Sequence, residues 1–119
     1  MAEQGFLTTH ILDTARGCPA HGVSIDLYEL HGDTRTHMIS TVTNDDGRTN
    51  NPIIPQGKLV CGTYELVFKI GDYFEGYAPA SEHPFIDIVP IRFGVDDDTS
   101  HYHVPLLASP FSFSTYRGS

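Results

Sequence analysis

Thr63-Tyr64-Glu65-Leu66-Val67-Phe68-Lys69-Ile70 is the stretch that decides the fold. Its apolar side chains recur at every second position. Tyr64, Leu66, Phe68 and Ile70 share one face, and Thr63, Glu65 and Lys69 take the other. A period of two belongs to a strand, whose successive Cβ atoms point to opposite sides of a sheet; a helix would repeat every 3.6 residues.

The same alternation extends in both directions. Val23, Ile25 and Leu27 alternate with Ser24, Asp26 and Tyr28, while Phe85, Asp87, Val89, Ile91, Phe93 and Val95 form a longer face. Further strands are predicted over residues 6–12, 36–42, 101–107 and 111–116. Turn formers separate them: Gly17-Cys18-Pro19, Gly32-Asp33, Asn44-Asp45-Asp46-Gly47, Asn51-Pro52, Gly71-Asp72 and Ser109-Pro110. Seven or eight short strands in a chain of 119 residues read as one all-β sandwich spanning positions 1–119. Pro90 lies inside a strand pattern and has no N–H to donate, which favours a sheet edge or a bulge there. Residues 72–84 break the alternation, and one short helix fits among them. An antiparallel sandwich has several edges, and few lysines blunt them here, so pairing between identical subunits is expected.

The formal charge is −8, from 7 basic against 15 acidic residues. No basic stripe is visible, which argues against nucleic acid as a partner. An anionic small ligand would need a local positive cluster, so each of the few arginines is a candidate for it. No apolar run approaches the roughly 18 residues of a membrane span. The N-terminus lacks a basic stretch followed by an apolar core, and cytoplasm is the expected compartment. Cys18 and Cys61 are far apart and form no CxxC pair; they are expected as buried or half-buried thiols.

His101 and His103 stand two apart on a strand pattern and share a face. Such a pair suits acid/base work or a metal; it also suits a partly exposed strand with two polar residues. Zinc would require a third ligand, for which His10 is the natural choice, and no further pattern supports one. His10 lies among apolar neighbours, where a histidine is either satisfied by a hydrogen bond or available for chemistry. Asn44-Asp45-Asp46-Gly47-Arg48 is a tight turn in which Gly47 supplies positive φ. It is either a plain hairpin or a device that presents Arg48, whose planar fork suits carboxylates, ureides and imide oxygens. Asp96-Asp97-Asp98 lacks the ligand spacing of a calcium loop and reads as a solvated turn. His21, His31, His37 and His83 are expected at the surface. The closing stretch, residues 111–119, is aromatic and alternating, with Arg117 close to the end. A terminus patterned like a strand is expected to be docked.

Three segments together resemble one family. They are Leu7-Thr8-Thr9-His10-Ile11-Leu12-Asp13-Thr14 with Gly17-Cys18-Pro19-Ala20; Thr43-Asn44-Asp45-Asp46-Gly47-Arg48; and His101 to Ser119, ending Tyr116-Arg117-Gly118-Ser119. This chain resembles the 5-hydroxyisourate hydrolases, transthyretin-like enzymes of urate breakdown, over essentially its whole length. The hormone carrier transthyretin is similar around Ala108 to Thr115. It lacks the counterparts of His10, Arg48, His103 and the Tyr-Arg-Gly-Ser ending. The resemblance implies a transthyretin-like sandwich of two four-stranded sheets with one short helix. It implies four subunits around a channel, with sites where subunits meet. It also implies a small purine-derived substrate, opened by water at a ring amide without metal or organic cofactor. His10 and His103 would activate water and move protons, and Arg48 would clamp the substrate and its oxyanion. Tyr116, Arg117 and Ser119 would line the site.

Overall fold

The computed structural model describes residues 4–77 and 82–118. Ser119, and residues 78–81 within the predicted helical stretch, lie outside the described residues. In chain order the elements are β1 (Phe6–Thr8), β2 (Ile11–Asp13), β3 (Cys18–Pro19), β4 (Ser24–His31), β5 (Thr34–Val42), β6 (Gly62–Lys69), α1 (Ile70–Phe74), β7 (Ile88–Val95), β8 (His101–His103), β9 (Leu106–Ala108) and β10 (Phe113–Thr115). They form two four-stranded sheets, ordered β10-β9-β2-β3 and β5-β4-β6-β7, and a two-stranded sheet β1-β8.

The deciding stretch becomes β6, at the centre of the second sheet between β4 and β7. Tyr64, Leu66, Phe68 and Ile70 are all at most 1% exposed and pack with Ile25, Leu27, Leu7, Ile11 and Leu106. Each such side chain contributes about 1.5–3 kcal/mol by leaving water. Ile70 belongs to the buried face but opens the helix rather than ending the strand. The helix therefore falls at Ile70–Phe74, ahead of most of the stretch predicted for it. It continues the core by burying Ile70 and Phe74. Glu65, expected on a polar face, is buried as well, because Arg35 and Arg92 close over its carboxylate at 2.8 and 3.2 Å.

Two predicted strands are split, and they split at the same level. Residues 6–12 break at Thr9-His10 into β1 and β2. Residues 101–107 break at Val104-Pro105 into β8 and β9. Pro105 has no N–H, so a regular ladder cannot run through it. The gap is bridged by Val104 N–H to the Thr8 carbonyl at 3.0 Å, Leu106 N–H to the His10 carbonyl at 2.9 Å and the Thr9 hydroxyl to the Val104 carbonyl at 2.6 Å. β1 pairs with β8, and β2 with β9, both in parallel. Pro90 sits on β7, which is an edge strand as expected, and it pairs with Val67 without a break in register.

The cysteines depart from expectation: both are free and exposed. Cys18 lies on the two-residue edge strand β3, and Cys61 lies in the loop before β6, where its thiol donates to the Asp96 carbonyl. The acidic turn behaves as a solvated turn. Thr99 and Ser100 hydrogen-bond the Asp97 carboxylate and hold its pKa down to about 2.

Candidate functional site

The Asn44–Arg48 turn is built to dock on β2. Asn44 Oδ1 accepts from the Asp46 and Arg48 N–H groups, and Asn44 N–H donates to the Arg48 carbonyl at 2.7 Å. Gly47 has φ of 75°, and a Cβ there would lie 2.3 Å from the Ile11 carbonyl oxygen. Only glycine satisfies both the conformation and the close approach. Its carbonyl accepts from Ile11 N–H at 2.8 Å, so the turn is pinned beside His10. The turn joins β5 to a loop rather than to a hairpin partner, and its geometry presents Arg48.

His10 Nε2 lies 2.8 Å from the Asp46 carbonyl oxygen. A carbonyl can only accept, so Nε2 carries hydrogen, and in the neutral ring Nδ1 keeps its lone pair. The turn thereby fixes the His10 tautomer and the position of Arg48 together. Among the described residues the Arg48 guanidinium has no acidic partner. Its charge is free for a ligand.

His101 and His103 project from the same face of β8, as predicted. Phe6, opposite His101 in register, stacks on that ring at 4.0 Å and 7° between planes. Thr8, opposite His103, has its hydroxyl 2.6 Å from His101 Nε2 and 2.7 Å from His103 Nδ1. Burial lowers the pKa of both imidazoles. The charges of His101, Arg48 and His10 lower that of His103 further. His103 therefore stays uncharged at neutral pH, the form a base requires.

A cavity of about 330 Å³ opens between these groups. Arg48, His101, His103 and Thr8 line it, with Thr9 and residues 49–52 forming the rest of the wall. It brings Arg48 and His103 to one space, with His10 tied to the turn that carries Arg48. Among the described residues no group of three or more histidine, cysteine or acidic side chains could hold a metal ion.

The tail is docked as far as Gly118. Gly118 N–H donates to the His103 carbonyl at 2.8 Å, closing an antiparallel bridge. A Cβ on Gly118 would lie 2.6 Å from His103 Cδ2, so the backbone rests directly on the imidazole. Arg117 places its guanidinium 4.1 Å from the centre of the Tyr102 ring. Tyr102 points to the opposite side of β8 from the two histidines. Arg117 thus sits behind the cavity wall. Tyr116 is 60% exposed and does not line the cavity. Ser119 lies outside the described residues. Thr8, Thr9 and residues 49–52 were not singled out from the sequence. The signal available for Thr8 was its place two residues from His10, but its partnership with His103 depends on a parallel pairing between the chain's two ends.

Residues 7–118 match the HIUase/Transthyretin family. A 5-hydroxyisourate hydrolase from Deinococcus radiodurans is 57% identical over 113 residues, covering 95% of each chain. Among solved structures, an (S)-allantoin synthase superposes with TM-score 0.90 at 48% identity, covering 99% of this chain and 45% of that longer one. Transthyretin from Sparus aurata superposes with TM-score 0.82 at 27% identity, covering 94% of this chain and 95% of that one.

Proposed function

The chain belongs to the HIUase/Transthyretin family, and from that premise we propose that it hydrolyses 5-hydroxyisourate to 2-oxo-4-hydroxy-4-carboxy-5-ureidoimidazoline in urate degradation. The observation that carries this reading is one cavity lined both by an arginine without an acidic partner among the described residues and by a neutral, half-buried histidine. Ring opening at an amide needs a base for water, a donor for the oxyanion and an acid for the leaving nitrogen. His103 and His10 share the first and third, activating water and moving protons. Arg48, with no acidic partner among the described residues, supplies the charge that clamps the substrate and the oxyanion. The chain as a whole repels anions, and Arg48 reverses the field locally.

Tyr116, Arg117 and Ser119 belong to the site in this reading through assembly. Phe85, Phe111, Phe113 and Tyr116 are 76%, 71%, 44% and 60% exposed, and β10, β3, β5 and β7 are open sheet edges. That much uncovered aromatic surface and unpaired backbone supports a homotetramer with sites where subunits meet. Light scattering on the purified protein tests it, and a monomer at assay concentrations would contradict it. The partner is a small molecule; the acidic surface supports neither nucleic acid nor an anionic membrane. No helix among the described residues is long and apolar enough to cross a membrane. Two exposed free thiols support a reducing compartment, and we place the protein in the cytoplasm.

The test is direct. Freshly generated 5-hydroxyisourate is mixed with the protein and its absorbance decay is followed. Decay well above the spontaneous rate is expected. Binding without acceleration would instead favour a carrier, the role that the similarity to transthyretin supports.

A further inference from the structure

The Thr8 hydroxyl stands between two imidazoles, 2.6 Å from His101 Nε2 and 2.7 Å from His103 Nδ1. The ring centres are 5.8 Å apart and tilted by 52°, so the rings do not meet nitrogen to nitrogen. A hydroxyl owns one hydrogen. It cannot donate to both rings. The oxygen could accept from both rings, but when its one hydrogen is shared between them, one facing nitrogen carries hydrogen and donates to Thr8 while the other is bare and accepts from it. In that arrangement the two tautomers are coupled: reversing the chain of bonds changes both rings together.

We propose that Thr8 is a positioning residue that fixes the working tautomer of His103 and links that ring to His101 as a proton store. The proposal rests on the hydrolase reading for its catalytic consequence and deepens that same site. In the working arrangement His103 Nδ1–H donates to Thr8, the Thr8 O–H donates to His101 Nε2, and His103 Nε2 has its lone pair free. Water gives a proton to that Nε2 as its oxygen bonds to the ring carbonyl carbon, whose π electrons move onto the oxygen. His103 then passes its Nδ1 proton to Thr8 while Thr8 passes its own to His101 Nε2. The positive charge moves to His101, which lies flat against Phe6. As the intermediate collapses, the electron pair of the breaking C–N bond goes to nitrogen, which takes the proton from His103 Nε2. The relay runs backward and restores the starting tautomers. Atoms and charge balance, and no co-reactant beyond water is used.

The arrangement follows from register. β1 and β8 are parallel, with Phe6 opposite His101 and Thr8 opposite His103. One aromatic and one hydroxyl are thus delivered to the two histidines by adjacent positions on the same face of β1. The other charged or titratable groups acting on His103 are Arg48, His10 and His101 itself. None of these offers it a hydrogen-bonded route for a proton among the described residues; Thr8 does.

Thr8→Val keeps the shape and removes the hydroxyl, and Thr8→Ser keeps the hydroxyl. Nitrogen NMR of the histidine rings reads the tautomers without substrate, and hydrolysis kinetics across pH read their consequence. The expected results are an Nδ1–H tautomer for His103 in the wild type, lost in Thr8→Val and kept in Thr8→Ser. Thr8→Val should lower kcat by about 10- to 100-fold, a part of the ~10²–10⁴ that general acid–base catalysis contributes, with KM little changed and the acid limb displaced. Thr8→Ser should recover most of kcat. An Nε2–H tautomer for wild-type His103 would overturn the proposal, as would ring signals and a pH profile unaltered in Thr8→Val. If Thr8→Val fails to fold, the wild-type tautomer and Thr8→Ser still decide. A wild-type protein that leaves 5-hydroxyisourate untouched would sink the hydrolase reading, and the catalytic use of the relay with it, while the ring signals would still show whether the coupling exists.

Discussion

Two faces of this chain gather ionisable side chains, and they differ in whether the pairing is finished. On the outer face of the β5-β4-β6-β7 sheet, Glu65 is closed over by Arg35 and Arg92, and Arg35 also lies 3.8 Å from the centre of the Tyr28 ring. Beside it, Asp26 accepts from Ser40 at 2.5 Å and His37 at 3.0 Å. Glu65, Asp26, Arg35 and Arg92 each have a partner there. Around the cavity the opposite holds. Among the described residues Arg48 has no acidic partner, and burial holds the pKa of His101 and His103 down, with the charges of His101, Arg48 and His10 acting further on His103. A Ser-His-Asp trio sits on the outer face, yet both Ser40 and His37 point to the same Asp26 oxygen, which is not the relay order a nucleophile needs. The difference teaches that a dense polar cluster can be fully paired, whereas the cavity leaves a charge and neutral imidazoles available for a ligand.

The comparison can be broken most forcefully at the docked tail. Deleting residues 116–119 removes Gly118 from His103 and Arg117 from Tyr102, and should abolish hydrolysis while the melting temperature falls only modestly. An active truncated protein would show that the tail is ornament. Next comes the uncommitted charge. Arg48→Leu should reduce kcat/KM by about 10²–10³, the range for losing one oxyanion donor. The same change removes a charge that holds the pKa of His103 down, so the acid limb of the pH profile should move to higher pH. Unchanged kinetics would mean that Arg48 is no more than an exposed turn residue.

The outer face should respond in stability and not in turnover. Glu65→Gln should cost about 1 kcal/mol by denaturant unfolding, since half-exposed arginines are screened by water. Loss of turnover in that variant would merge the two faces that the comparison separates. The smallest effect is expected at Ser40→Ala, below about 0.5 kcal/mol at neutral pH. The Ser40 hydroxyl is the main cause of Asp26's lowered pKa, opposed by burial and helped by His37. A depressed carboxylate contributes stability that is present above its unfolded pKa and lost as pH falls through its folded one. Ser40→Ala should therefore flatten the loss of stability on acidification, a change that melting curves at neutral and acid pH would detect.

Much of the fold was legible because a buried face imposes its period on the chain. The alternation at Tyr64, Leu66 and Phe68 placed β6 correctly, and Pro90 marked an edge. The breaks at Thr9-His10 and Val104-Pro105 were hidden because each needs the other: a hydroxyl and two N–H groups cross between the ends of the chain to bridge them. Alternation also hid the burial of Glu65, since its two arginines come from other strands. It misplaced the cysteines, whose apolar character says nothing about landing on a short edge strand or a loop. At the site, the turn ending in Arg48 and the paired histidines could be read locally. Thr8 could not, because its role comes from parallel register with a strand some ninety positions away.

The most direct measurement is the absorbance decay of fresh 5-hydroxyisourate with the wild-type protein, His103→Ala and His10→Ala side by side, each shown folded by its melting curve. Both variants should turn over about 10²–10⁴ times more slowly than wild type, the contribution of a positioned proton-transfer group. Wild-type rates in folded His103→Ala would contradict the account, because the cavity would then hold no base.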